Sequence, residues 1–257
     1  MEYFIICFAA LTGSALTLFS GFGLGTIMVP VFGIFFPVPV AIQLTAIVHF
    51  LNNLFKLFIT GKNADKSTIL RFGIPSVIAA FAGAWLLTQI TELPELWQWN
   101  TGTHQYIITP VKLIIAVLII FFSLFDLIPG LAKLEFDKKY LAVGGVLSGF
   151  FGGLSGNQGA LRSAFLIRSG LSKEAFIATG VVIACLVDTS RLIVYSDRFI
   201  GDGSSINYTL LTSATLCAFA GAWIGNKLVK KITIDFLQKM VGALLIVFGI
   251  LLGLGII

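Results

Sequence analysis

Apolar residues run through this chain in long stretches separated by short polar ones, and the lengths of those stretches predict its elements. A helix crossing a hydrocarbon core needs about 20 predominantly apolar residues. Six segments meet that length, roughly 40–60, 72–90, 107–128, 174–195, 207–226 and 236–256. Two other apolar regions, 2–36 and 140–169, are too long for one straight crossing and are broken near their middles by glycine-rich sequence. Each is expected to form a hairpin of two short helices, or one crossing with a long interfacial extension. The pattern predicts an all-α polytopic membrane protein.

The polar stretches orient these spans, because Lys and Arg concentrate in cytoplasmic loops. Lys62, Lys66 and Arg71 mark one such loop, Lys133, Lys138 and Lys139 a second, and Lys227, Lys230 and Lys231 a third. The segment 91–106 has Glu92, Glu95, Trp97 and Trp99 but no Lys or Arg, as an external loop with an interfacial aromatic belt would. The segment 196–206 sets Asp197 and Asp202 against Arg198 and reads as external too. With one full crossing at 174–195, region 140–169 has to start and finish on the cytoplasmic side. Region 2–36 then starts and finishes outside.

An internal repeat supports the same layout. Phe81-Ala82-Gly83-Ala84-Trp85 returns as Phe219-Ala220-Gly221-Ala222-Trp223, and Gly25, Ala41, Thr45 and Val48 are followed at one constant spacing by Gly159, Ala175, Thr179 and Val182. The stretch 116–121 resembles 243–248. Two membrane repeats follow, 1–132 and 133–257, integrated in one transmembrane domain. Each is a broken-helix hairpin plus three transmembrane helices. An odd number of crossings makes them inverted repeats, an arrangement that places binding near the midplane where broken helices meet. Eight simple spans fit the hydropathy almost as well but leave the external loops less consistent.

Composition agrees: 57% of residues are hydrophobic and 11% charged, with a mean hydropathy of +0.99, against about 25% charged in soluble domains. The formal net charge of +5 sits mostly in short loops and reads as an orientation signal, not as a nucleic-acid surface. The first apolar stretch lacks a basic leader and is expected to remain in the mature chain. Cys7, Cys185 and Cys217 lie in apolar stretches without a Cys-x-x-Cys spacing, so they suggest neither a disulfide framework nor a redox relay.

The two breaks hold the chemistry. The first reads Ser20-Gly21-Phe22-Gly23-Leu24-Gly25 and runs on to Pro30; the second reads Gly156-Asn157-Gln158-Gly159-Ala160-Leu161-Arg162. Alternating glycines let a helix stop and restart at membrane depth, and such backbone requires a ligand, water or protein as its partner. A restarting helix offers free N–H groups and a positive dipole end to an anion. The competing reading is close helix packing through small residues. At these breaks the chain resembles the TauE/SafE family of sulfite exporters, and the resemblance extends over essentially the whole length. Gly21, Gly23, Gly25 and Pro30 match the first family motif, with Leu24 where another Gly is often found. In the second, Gly156 and Gly159 are present, Asn157 and Gln158 replace glycines, and no Pro follows. The resemblance implies export or exchange of small sulfur-containing anions such as sulfite or sulfonates.

Polar residues inside the spans complete the candidate site. Arg162 presents a planar fork suited to an oxyanion, or pairs with an intramembrane acid such as Asp188. Thr45, His49, Asn52 and Lys56, with Asn53 beside them, form a polar stripe on one helix. His49 is a candidate for substrate binding or proton relay, and interhelical hydrogen bonding is the alternative for each member. Asp188 and Arg191, three residues apart, read as a structural pair near the external end of their helix or as coupling residues. Substrate contacts are therefore expected among Gly21, Phe22, Gly23, Gly25, His49, Asn52, Asn53, Asn157, Gln158, Gly159 and Arg162, and proton or ion coupling among His49, Asp188 and Arg191. No cofactor or metal site is expected. The partners implied are a small anion, the lipid bilayer of a cell membrane and a coupling ion, with a homodimer left open. The expected function is a secondary anion transporter. An anion channel is the alternative, and an intramembrane enzyme, for which no catalytic motif is found, is a weaker one.

Overall fold

A computed structural model of the chain describes residues 1–17, 23–102, 104–132, 134–201, 207–228 and 234–257. Of the residues singled out above, Ser20, Gly21, Phe22, Lys133, Asp202, Lys230 and Lys231 lie outside this set.

The first apolar region is divided, as one of its two expected forms had it, into α1 (Glu2–Thr17) and α2 (Leu24–Gly33). Then follow α3 (Val38–Thr60), the single turn α4 (Lys66–Thr68) and α5 (Ile74–Thr91). Between α4 and α5, Ile69–Gly73 forms a π-helical turn, so that Lys66–Thr91 is one continuous apolar helix. Pro75, which has no N–H for the carbonyl four residues earlier, accounts for the widened turn just before it.

A β-hairpin, β1 (Trp97–Thr101) and β2 (His104–Ile108), lies in the segment that the loop charges suggested was an external loop. Its cause is a period-two pattern in a segment too polar to cross lipid. Trp99 lies opposite Tyr106, their rings stack at 4.4 Å, and Gly102 takes a left-handed φ of 60° at the turn, which only glycine adopts freely. The hairpin uses up residues 107 and 108, so α6 starts later than expected, at Pro110, and runs to Leu127. Thr109 caps it, its side-chain oxygen accepting from the Lys112 N–H at 3.3 Å.

After the short α7 (Pro129–Ala132), the second region is likewise two helices, α8 (Leu141–Ser155) and α9 (Gly159–Leu166). The remaining helices are α10 (Lys173–Gly201), α11 (Tyr208–Leu228) and α12 (Ile234–Gly253). α10 is longer than the span 174–195 and takes in residues that the charge pattern gave to an external loop. Asp188 therefore sits near the middle of its helix and not near its end.

Exposure is inverted relative to a soluble protein. Phe58 is 89% exposed and Phe4 75%, whereas Asp188 and Arg191 are 0% exposed. Apolar side chains facing outward suit lipid, and polar ones turned inward avoid it. Among the described residues, four helices or helix combinations are long and apolar enough to cross a membrane: Val38–Asn63, Lys66–Thr91, Lys173–Ser196 and Tyr208–Gly225.

Packing exchanges elements between the two halves. α1 packs on α11 and α8 on α5, while α3 pairs with α10 and α6 with α12. The repeated pentapeptide sits at the two exchanged contacts. A Cβ on Gly83 would come within 2.1 Å of the Phe150 carbonyl oxygen of α8, and one on Gly221 within 2.1 Å of the Leu11 carbonyl oxygen of α1. Ala84 and Ala222 are buried beside them, and Trp85 and Trp223 face outward. Glycine here lets helix backbones touch, a packing mode in which each half supplies the partner that the other requires.

Candidate functional site

The polar stripe of α3 is buried along its length: Thr45, His49, Asn52, Asn53 and Lys56 are all shielded from solvent. α10, α2 and α11 pack against this helix, and Ser14 of α1 reaches Asn52. From α10 comes the one carboxylate among the described residues that reaches this layer. Asp188 Oδ2 lies 2.6 Å from His49 Nδ1 and accepts from Asn53 Nδ2 at 3.3 Å. Its other oxygen accepts from Arg191 Nε at 3.0 Å. Arg191 Nη2 is 2.8 Å from that oxygen, without the alignment of a hydrogen bond. The pair expected at this spacing is therefore present, and His49 joins it from the facing helix.

The two breaks come together at this cluster. α8 stops at Gly156, whose φ of 80° is left-handed and whose N–H donates to the Gly152 carbonyl at 3.0 Å, a termination that favours glycine. A Cβ on Gly156 would also stand 2.9 Å from Arg191 Nη1. On the other side, a Cβ on Gly25 would lie 3.1 Å from the Gly156 carbonyl oxygen, and one on Gly23 3.2 Å from His49 Nε2. Small residues at both breaks thus admit the other break and the polar cluster to close range.

Beside this contact opens a cavity of about 40 Å³. At about 10–15 Å³ per water, it has room for a few waters or one small oxyanion. Its polar wall consists of Thr17, His49, Asn53, Lys56, Arg162 and Ser163, with the backbone at Gly23. Leu24, Leu166, Phe176, Ile177, Gly180 and Val181 form the rest. No acidic side chain is among these lining residues. The Thr17 hydroxyl is buried with no hydrogen-bond partner among the described residues. α2 starts at the cavity, with Gly23 as its N-cap and no side chain capping it, so its positive dipole end faces the space.

Two cations meet here without an ion-pair partner among the described residues. Arg162 is nearly buried, its Nη1 donating to Gln158 Oε1 at 3.3 Å, and Asp188 is not its ion-pair partner. A Cβ on Gly180 would lie 3.4 Å from Arg162 Nε, so this glycine of α10 leaves room for the guanidinium. Lys56 is 4% exposed. With the Asn52 amide turned to satisfy both its ends, that side chain accepts from Lys56 Nζ at 3.2 Å and donates to the Ala218 carbonyl at 3.1 Å.

Of the expected substrate contacts, Gly23, His49, Asn53 and Arg162 line the cavity. Gly25 lies at the contact between the breaks. Asn52 points to α1 and α11, receiving Ser14 Oγ at 3.0 Å, which is the interhelical role. Asn157, Gln158 and Gly159 are buried outside the cavity wall, with Asn157 Oδ1 and Gln158 Nε2 unpartnered among the described residues. The restart of α9 does not itself face the space; it contributes Arg162 and Ser163, about one turn further on. Lys56 belonged to the polar stripe but was not counted as a contact. Thr17 and Gly180 had no sequence signal beyond being small residues near a break and near the Arg162 helix.

A family model described as Sulfite exporter TauE/SafE matches residues 5–252 of the chain. No curated protein matches it.

Proposed function

The chain belongs to the sulfite exporter TauE/SafE family of membrane transporters, and from that premise we propose that it is a secondary transporter of small sulfur-containing oxyanions, sulfite or a short sulfonate, bound between the two helix breaks. The observation that carries this reading is the convergence of Lys56 and Arg162 on one small cavity whose described lining has no acid. Two buried cations without carboxylate partners are costly in a low-dielectric interior, and a bound oxyanion offsets that cost. Arg162 supplies a bidentate fork, Lys56 a point charge, and the Thr17 hydroxyl and the N-terminus of α2 neutral donors. The apolar wall of Leu166, Phe176 and Ile177 suits the short carbon end of a sulfonate.

The exchanged packing supports transport by this site. The halves 1–132 and 133–257 act as inverted repeats, and motion of one against the other at the Gly25–Gly156 contact opens the cavity to each side in turn. The family's direction is export.

Binding and flux test this together. Arg162→Gln and Lys56→Met are each expected to weaken sulfite binding about 10- to 100-fold, the worth of a charge-assisted hydrogen bond of about 1.5–3 kcal/mol, measured by calorimetry on the purified protein. Unchanged affinity in both variants would remove the site from this cavity. In proteoliposomes, sulfite uptake that accelerates with sulfite on the far side marks a transporter, and flux indifferent to it marks a channel.

A further inference from the structure

We propose that His49 takes up one proton when the anion binds, so that proton and anion occupy the site and cross together. This rests on the anion site proposed above and adds its coupling. The geometry assigns the ring nitrogens different tasks. Nδ1 is 2.6 Å from Asp188 Oδ2, so in the neutral imidazole Nδ1 bears the hydrogen and donates to the carboxylate. Nε2 is left as an acceptor with Asn53 Nδ2 3.3 Å away, a donor that protonation of Nε2 would displace. Nε2 is the nitrogen that faces Gly23 on the cavity side. A proton arriving from water there makes an imidazolium that keeps its Nδ1 bond to Asp188 and turns an Nε2–H donor towards the anion.

Charge balance links the two events. Around His49 stand Lys56 on its own helix, Arg162 on α9, and Asp188 and Arg191 on α10. The other titratable groups of α10 close to this cluster are the Cys185 thiol and the Tyr195 hydroxyl, which donates to the Gly153 carbonyl at 2.8 Å. α2 and α8 have no acid or base. α1 has Glu2, Tyr3 and Cys7 in its first half, and α11 has Tyr208, Cys217 and Lys227. Asp188 is already matched by Arg191, so with the cavity empty the group holds the uncompensated charges of Lys56 and Arg162. A third positive charge at His49 is unfavourable in that environment, and an anion in the cavity removes the objection. Proton and anion thus favour each other, and the coupling is reciprocal.

Calorimetry in buffers of different ionisation enthalpy counts the protons. The probes are sulfite and thiosulfate, the second because it stays fully ionised near neutral pH and contributes no proton change of its own. Wild-type protein is expected to take up about one proton per anion on the alkaline side of the His49 titration, with affinity there falling about tenfold per pH unit. His49→Gln is expected to bind with the weaker affinity of alkaline wild type and to lose that slope. Anion binding without proton uptake by the protein overturns the inference and leaves the anion site standing, as does a slope that survives in His49→Gln. Failure of both anions to bind overturns the site and this inference with it. Where His49→Gln does not fold, proton uptake that persists in Lys56→Met supports His49 as the acceptor, and its loss there overturns the inference.

Discussion

α3 and α10 stand at matching places in the two halves and pack against each other, yet their polar residues do not match. At the spacing that aligns Thr45 with Thr179, His49 falls on Ile183, Lys56 on Ser190, Asp188 on Leu54 and Arg191 on Leu57. Where the halves are alike, at Gly83 and Gly221, the shared residue packs backbone on backbone. Where they differ, the difference is complementary: a base and a cation on one helix face an acid and its partner on the other. A copy of Asp188 would have stood at Leu54, which is 40% exposed, where a charge would face lipid at a high cost. The matching glycines therefore set packing, and the chemistry sits where the two segments differ.

The strongest way to break this comparison is at Asp188. Asp188→Ala leaves Arg191 buried and unmatched and is expected to cost about 3–5 kcal/mol, read as a large drop in the thermal midpoint of the detergent-solubilised protein. The double variant Asp188→Leu with Arg191→Leu installs the residues found at the matching positions of the first half. It is expected to recover most of that stability, since apolar replacement of a buried pair is often neutral, while losing proton-linked binding. A double variant as unstable as the single one would show that the pair holds the fold together.

The shared feature can be tested with a smaller perturbation. Gly83→Ala and Gly221→Ala each place a methyl against a carbonyl oxygen and are expected to lose about 1–3 kcal/mol, and by similar amounts if the two contacts are equivalent. A large loss in one and none in the other would break the equivalence. The smallest effect is expected at the second break, where Gln158→Ala removes the side-chain acceptor of Arg162. Loss of that bond, worth about 1 kcal/mol, should weaken sulfite binding roughly fivefold without altering proton uptake.

Much of the architecture was legible in the sequence. Both glycine-rich breaks separate helices, and the polar stripe of α3 is turned inward, because hydropathy and helical periodicity act locally and lipid enforces them. The hairpin at 97–108 was hidden by its composition: Trp and Glu in a short loop suggest a membrane interface whether or not the strands pair. The length of α10 was hidden in a similar way, since charges near a helix end look like a loop when only loop charges are weighed. Asp188 was for that reason placed near an end and not at mid-helix.

By itself, the sequence determined that the chain enters lipid, where its helices break, and which polar residues have to be hidden from the bilayer. Those properties depend on the kinds and spacings of residues within single segments. Which buried polar groups face one another was decided only by tertiary structure. Asp188 meets His49 and Arg191, whereas Arg162 stands beside Gly180 of α10 and turns to the cavity with Lys56. Spacing along one helix predicts a pair such as Asp188 with Arg191. No periodicity encodes a contact across helices more than a hundred residues apart, where only packing sets the distance.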